Sequence, residues 1–359
     1  MKKVIITGGG TGGHLYPGLA ISEAIQDFAE VVYVGHPEKI EARVVPEKKM
    51  AFVGIRSFPF SPKNVLNIIG SILTGRKVIR QISPDLLIAV GGYVCIPAAV
   101  AARLAGVPLL LHEQNVAPGK ANRLLIRLGA KVMTSFPETS QYIDNQIIFP
   151  TGCPVRKEIG SPSRAEARAK LQLQTEDFVI LSMGGSGGAA LLNDLTLALV
   201  QHFQPNQKVK IIHITGKVYY EKVMAQAKGI FGNTLPANYQ LLSYSDAIEY
   251  LFAAADVGVF RSGSSTVNEL LCAGLPSVLI PSPNVAENHQ EANARYLEKV
   301  QAAEVLLEKD ANASKIIELM EKYYQQPQLL AQMKQNCLDN QLGKEAKTKI
   351  AEVVKKMLG

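Results

Sequence analysis

The chemistry-bearing residues of this 359-residue chain fall into two glycine loops and three polar clusters. Near the start, Gly8-Gly9-Gly10-Thr11-Gly12-Gly13-His14 spaces glycines as G-x-G-x-x-G and closes on an imidazole. Midway, Gly184-Gly185-Ser186-Gly187-Gly188-Ala189-Ala190 carries the variant with Ala190 at its end. Glycines so spaced let backbone N–H groups approach a phosphate at a helix N-terminus. A nicotinamide dinucleotide site also needs an acid ending the second strand. Val34-Gly35-His36 and Thr215-Gly216 supply none. A phosphate or sugar-nucleotide site therefore fits better than a dehydrogenase, and a purely structural tight turn stays open.

His14 has the side chain of a general base, or of a helix-start histidine bonded to its own loop. His112-Glu113-Gln114-Asn115 follows an apolar run, where parallel sheets place ligand-binding groups or where a chain merely turns. Arg261 to Glu269 offers a hydroxyl-rich turn. Its Thr266-x-x-Glu269 reads by itself as a capping box, or else as phosphate donors beside a ribose carboxylate. No Asp-x-Asp occurs. Cation-dependent sugar transferases usually hold the diphosphate through such closely spaced carboxylates, so the expectation is no metal and no cofactor. Arg156 is the candidate cation for a diphosphate.

Short apolar runs alternate with helical stripes along the whole chain. Strands are predicted at 4–7, 31–34, 51–55, 86–90, 109–112 and 132–135, with helices at 17–28, 65–80, 96–105 and 119–128. After a break carrying Gly152, Pro154, Gly160 and Pro162, strands recur at 178–183, 210–215, 240–243, 257–260, 276–280 and 304–307. Such alternation means βαβ units, hence an α/β protein with parallel sheets covered on both faces. Because strand, glycine loop and helix recur in both halves, two Rossmann-like domains facing across a cleft are expected. Their limits are 1–157 and 158–340, with 341–359 a terminal helix.

Composition narrows the partners. The net charge of +7 favours anionic ones, while the absence of Trp and of a basic stripe interleaved with aromatics speaks against nucleic acid. Four scattered cysteines suggest neither zinc nor disulfides and favour a reduced compartment. The start is too short in apolar residues for a signal peptide, and no run suffices for a spanning helix. One stretch reads as a membrane-docking face. Val65, Leu66, Ile69, Ile72 and Leu73 are flanked by Lys63, Arg76, Lys77 and Arg80, as in proteins that rest on anionic lipid. The alternative is a core helix with cations at its exposed end.

Together these motifs, with Gly91-Gly92-Tyr93-Val94, Pro118-Gly119, Pro154-Val155-Arg156 and Asn288-His289-Gln290 with Asn293, resemble the MurG family of UDP-N-acetylglucosamine transferases over nearly the whole chain. The resemblance implies a GT-B fold and an active site in the interdomain cleft. It implies inverting transfer of GlcNAc from UDP-GlcNAc to the C4 hydroxyl of MurNAc in undecaprenyl-pyrophosphoryl-MurNAc-pentapeptide, which converts lipid I to lipid II. His14 would be the base, with Thr11, Gly12, Gly13 and Asn115 reaching toward the transferred sugar. Arg156 and Ser186 would lie near the diphosphate with backbone donors from Ser264, Ser265, Thr266 and Val267. Glu269 would meet the ribose, Gln290 the GlcNAc hydroxyls, and Ser245 the uracil. The implied setting is peripheral, on the cytoplasmic face of the bacterial membrane, among other cell-wall synthesis proteins. Gly187, Cys153 and Cys95 depart from the family's frequent Gln, Asn and Ser.

Overall fold

The structure, a computed structural model, describes residues 1–144, 147–185 and 187–359. It divides into two compact units, Met1–Val155 with Leu342–Gly359, and Arg156–Gln341.

In the first unit the elements run β1 (Lys2–Thr7), α1 (Gly12–Ile25), β2 (Ala29–Gly35), α2 (Ile40–Glu47), β3 (Ala51–Gly54), α3 (Val65–Ile82), β4 (Leu86–Ala89), α4 (Ile96–Leu104), β5 (Leu109–Glu113), α5 (Lys120–Arg127), β6 (Lys131–Thr134) and β7 (Ile148–Pro150). Every pairing is parallel, in the order β3-β2-β1-β4-β5-β6-β7. The strands are near-continuous apolar runs because helices bury both faces. Alternate side chains enter two cores. Ile5, Leu87, Ala89, Leu109 and Leu111 join one with α4, while Val4, Ile6, Leu86, Ile88 and Leu110 join the other with α1.

The second unit repeats the plan with α6 (Arg164–Lys170), β8 (Phe178–Met183), α7 (Ala190–Phe203), β9 (Val209–Ile214), α8 (Tyr220–Phe231), β10 (Tyr239–Leu242), α9 (Ile248–Ala254), β11 (Val257–Phe260), α10 (Ser264–Ala273), β12 (Ser277–Leu279), α11 (His289–Lys299), β13 (Ala303–Val305), α12 (Ala313–Gln325) and α13 (Pro327–Asp339). Its order, β10-β9-β8-β11-β12-β13, is again all parallel. In each sheet the strand order reverses beside the first strand of the unit. There, adjacent carboxyl ends diverge and leave a crevice for ligands.

The last helix, α14 (Ala346–Leu358), belongs to the first unit. Ala346, Ile350 and Val354 recur every four residues and are fully buried in the core that Leu15, Leu19 and Ile25 of α1 share. Burying the Ile350 and Val354 side chains stabilises this docking by roughly 1.5–3 kcal/mol each. Lys347 adds an exposed ion pair to Glu23 at 2.9 Å.

Helix α3 packs on α4 through a close crossing. A Cβ on Gly75 would lie 2.8 Å from the carbonyl oxygen of Pro97. The opposite face is bare: Val65, Leu66, Ile69 and Leu73 are exposed, Leu66 by 82%, with Phe60 beside them in the chain segment before the helix. Lys63, Arg76, Lys77 and Arg80 are exposed as well. The core-helix alternative therefore fails for this face. Ile72, expected among the exposed residues, is half-buried, because it lies off the Val65–Ile69–Leu73 line. No helix among the described residues is long and apolar enough to cross a membrane.

Candidate functional site

In the first unit, Thr7 pairs with Ala89, so the loops that follow β1 and β4 emerge side by side at the strand-order reversal. The β1 loop does not present an empty phosphate cradle. Glu41, fully buried at the start of α2, accepts the Gly10 N–H at 2.9 Å and the His36 N–H at 3.0 Å. A Cβ on Gly9 would lie 2.4 Å from the Glu41 carboxyl carbon, and one on Gly35 would lie 2.5 Å from its Cγ. The glycines thus make room for an internal carboxylate, a residue the sequence reading passed over. The only signal was an acid shortly after the second strand, and its carboxylate turns back into the loop where a ribose ligand would turn outward.

Past this plug the chain enters α1, whose N-cap, Thr11, makes no side-chain cap bond. Thr11 and Gly13 are exposed, and Gly12 and His14 half-buried. The His14 ring rests on the β4 loop. A Cβ on Gly91 would come within 3.1 Å of its Cε1 and Nδ1, and one on Gly92 within 3.2 Å of its Cδ2. Both glycines have positive φ, 96° and 77°, so conformation and space both demand glycine here.

The His112–Asn115 segment lies inside the first unit. His112, Glu113 and Gln114 are fully buried and Asn115 nearly so. His112 Nε2 bonds the Gly152 carbonyl at 3.0 Å. Burial pushes its imidazole down to about 4, opposed by that bond, so it is neutral near pH 7. Glu113 accepts from the Asn115 N–H at 2.8 Å and from Asn122 Nδ2 at 2.6 Å. Burial raises its carboxyl, and these bonds pull against the rise. Gln114 Nε2 donates to the Val90 carbonyl at 3.0 Å, while its Oε1 lies 3.4 Å from His14 Nδ1. The segment is a buried polar frame beneath the β1 and β4 loops; buried polar groups must be paired, and these are.

In the second unit, Met183 pairs with Phe260, which again sets two loops side by side. Gly188 and Gly216 are forced by close backbone approach: a Cβ on Gly188 would lie 2.1 Å from the Thr215 carbonyl oxygen. Ser186 lies outside the described residues. The other loop starts α10, whose N-cap is Gly263 with no side-chain cap. The Thr266-x-x-Glu269 capping box therefore does not form, since Thr266 is already inside the helix. A capping box does form at α6 in this unit, from Ser163 with Glu166. Glu269 instead accepts from Arg156 Nε at 2.8 Å. Burial raises the Glu269 carboxyl and the Arg156 guanidinium opposes the rise.

Ser264, Ser265 and Thr266 supply the first-turn N–H groups, which lack intrahelical acceptors by construction. Val267 departs from the expected run of four donors. Its N–H bonds the Gly263 carbonyl at 3.0 Å as the first bond of the helix, and its side chain is fully buried. Gln290, in the first turn of α11, accepts the Ser282 N–H on Oε1 at 2.9 Å, and its carbonyl accepts from Ser262 Oγ at 2.8 Å. The two residues ahead of α11, Glu287 and Asn288, both have positive φ, 57° and 50°. Successive left-handed non-glycine residues store strain of roughly 1–3 kcal/mol each and cluster at ligand clamps. Ser245 follows β10, with Oγ accepting the Ala247 N–H at 3.2 Å.

In the second unit, then, the structure pairs Arg156 with Glu269 at α10 and ties Gln290 to the Ser262 turn. In the first it stacks His14 on Gly91 and Gly92. Two Rossmann-like units, each with a glycine loop at its strand-order reversal, are the architecture of the GT-B glycosyltransferases. Residues 4–134 match the glycosyltransferase family 28 N-terminal domain and residues 179–354 its C-terminal domain. The chain belongs to this family, among the MurG transferases. It is 38% identical to the UDP-N-acetylglucosamine–N-acetylmuramyl-(pentapeptide) pyrophosphoryl-undecaprenol N-acetylglucosamine transferase of Desulfitobacterium hafniense (strain DSM 10664 / DCB-2), covering 93% of each chain. It is 36% identical to the transferase of the same name from Desulforudis audaxviator, covering 99% of each. The crystal structure of Acinetobacter baumannii MurG superposes with a TM-score of 0.76 at 25% identity, covering 99% of this chain and 100% of that one. A Staphylococcus aureus MnaA–UDP structure shares the fold alone, with a TM-score of 0.71 at 15% identity over 100% of this chain and 97% of that one.

Proposed function

We infer that this chain transfers GlcNAc from UDP-GlcNAc to undecaprenyl-pyrophosphoryl-MurNAc-pentapeptide, with inversion, forming a β-1,4 bond at the MurNAc C4 hydroxyl. The observation that carries the reading is the 36–38% identity, over almost the entire chain, to relatives that bear this activity in their names.

Inversion requires a single displacement. A base takes the C4 proton, the hydroxyl oxygen bonds to the sugar's anomeric carbon, and UDP leaves from the opposite face with the bonding electrons. His14 is the base, at the start of α1. The departing diphosphate gains negative charge, and groups that meet it tightly only then accelerate the step. Arg156 and the N–H groups of Ser264, Ser265 and Thr266 are those groups, and the family resemblance assigns Ser186 to the same diphosphate. Glu269 holds the ribose hydroxyls, so donor binding exchanges part of the Arg156–Glu269 pair for ligand contacts. Gln290 reads the GlcNAc hydroxyls, and Ser245 marks the backbone that meets uracil. Thr11, Gly12, Gly13 and Asn115 serve the acceptor side and the transferred sugar.

The bare face of α3 rests on the anionic cytoplasmic leaflet, which holds the enzyme as a peripheral protein where its lipid acceptor resides. Its apolar line would enter the acyl boundary while Lys63, Arg76, Lys77 and Arg80 meet the headgroups.

The test is UDP release from UDP-GlcNAc with and without a short-chain lipid I analogue. Acceptor-dependent release, insensitive to chelator and far slower with UDP-glucose, is expected. Equal use of UDP-glucose would overturn the donor assignment, and binding of UDP-GlcNAc without acceptor-dependent release would overturn the reaction.

A further inference from the structure

We propose that Gln114 is a positioning residue that holds the His14 imidazole as its Nδ1–H tautomer, which places the basic lone pair on Nε2. The proposal rests on the reading of His14 as the base. It starts from which way the buried Gln114 amide must face. One of its terminal atoms lies 3.0 Å from the Val90 carbonyl oxygen and 2.9 Å from that of His112. Carbonyl oxygens only accept, so that atom is the nitrogen, whichever way the amide is drawn. A third contact agrees. His112 Nε2 faces the Gly152 carbonyl at 3.0 Å and must carry that ring's hydrogen. His112 Nδ1 therefore bears a lone pair and accepts from Gln114 Nε2 at 3.1 Å.

The other end of the amide, Oε1, can then only accept. It lies 3.4 Å from His14 Nδ1, a long contact of the kind that tightens when substrate binds. A neutral imidazole has one N–H. Bonded to Oε1, that hydrogen sits on Nδ1, and Nε2 is the proton acceptor. In outline, His14 donates to Gln114, Gln114 to His112, and His112 to the Gly152 carbonyl.

The far end of this relay is rigid. Gly152 has a φ of 80°, and a Cβ there would lie 1.8 Å from the Leu342 carbonyl oxygen. No other residue fits, so the carbonyl that orients His112 is fixed by the backbone. At the near end, the imidazole lies so close to Gly91 and Gly92 that a Cβ on either would crowd it. An amide partner selects a tautomer without adding a charge beside the base. A carboxylate there would do both. Which nitrogen of a histidine is protonated is set by the bond the other makes.

The chain contains six histidines, few enough to assign His14 by comparison with a His14→Asn protein. In the full-length enzyme labelled with 15N-histidine, at a pH where the ring is neutral, we expect the Nδ1–H tautomer. An Nε2–H tautomer would overturn the proposal without any variant of Gln114. The kinetic arm is a double-mutant cycle of Gln114→Met with His14→Ala. Gln114→Met should lower kcat about tenfold or more, with KM for UDP-GlcNAc within about twofold, and should cost nothing further in the His14→Ala background. An equal loss in both backgrounds would mean that Gln114 does not act through His14. Unchanged kcat in His14→Ala would instead remove the base assignment, while the tautomer would still report on Gln114. If Gln114→Met fails to fold, the wild-type tautomer decides alone.

Discussion

The carboxylate of Glu41 sits inside the first glycine loop, where its Oε2 accepts the Gly10 N–H at 2.9 Å. A loop whose spacing suggests a diphosphate cradle is thus filled by one of the protein's own side chains, and its glycines serve close packing.

Removing that side chain should loosen the loop that leads into His14. Glu41→Ala leaves the half-buried Gly10 and buried His36 N–H groups without their acceptor. Each orphaned donor costs about 1–3 kcal/mol. Urea unfolding should show a loss of roughly 2–5 kcal/mol, and Glu41→Gln should recover part of it. A change under about 0.5 kcal/mol would mean the plug is not structural.

The Arg156–Glu269 pair makes the two residues separable by kinetics. Glu269→Ala should raise KM for UDP-GlcNAc by roughly tenfold or more with a smaller effect on kcat, as for a contact present before and during reaction. Arg156→Ala should lower kcat by about a hundredfold, as for a cation matched to the departing diphosphate. The reverse pattern would exchange their roles.

His14→Ala should lower kcat by the ~10²–10⁴ typical of a general base. Initial-rate kinetics with a short-chain acceptor distinguish this from a rise in KM alone, which would make His14 a binding residue.

Acid should weaken each unit through a buried neutral histidine. Burial pushes His112 down to about 4 and His213 to about 3, from an ordinary 6.5. As pH falls below 6.5 the unfolded chain takes up these protons and the folded one does not. Stability is therefore complete above that pH and lost below it, at about 1.4 kcal/mol per pH unit per histidine. Glu113 and Glu269, raised by burial, carry the opposite sign. The histidine contribution is accordingly read as the difference between wild type and His213→Gln in urea unfolding at pH 7.5 and 5. An identical pH dependence in the two would contradict it.

The α3 face predicts a separation of binding from chemistry. Replacing Leu66, Ile69 and Leu73 together by Ser should weaken sedimentation with anionic vesicles about tenfold or more, since each loses apolar area that would enter the acyl boundary. Turnover of a water-soluble acceptor analogue should stay within about twofold. Retained vesicle binding would mean that another surface holds the membrane.

The helix and strand periods, the repeated strand–glycine–helix unit and the apolar stripe of α3 were all legible in the residues alone. Each is a local pattern, written by neighbours within a few positions, and burial on a sheet face or a helix stripe enforces it. The bonds that build the site have no such signature. Gly10 meets Glu41 across 31 positions, His14 meets Gln114 across 100, and Arg156 meets Glu269 across 113. Spacing cannot say which buried donor finds which acceptor. Thus Thr266-x-x-Glu269 imitated a cap, and nothing local to His112–Asn115 shows that Gln114 meets Val90 and His14. Local residue patterns were enough for the elements and the class of chemistry. The packed fold settled that Glu41 fills the first loop, that Glu269 faces Arg156, and that hydrogen bonds link His14 through Gln114 and His112 to the Gly152 carbonyl. It did so because a polar group removed from water must take whichever partner the packed fold brings to it.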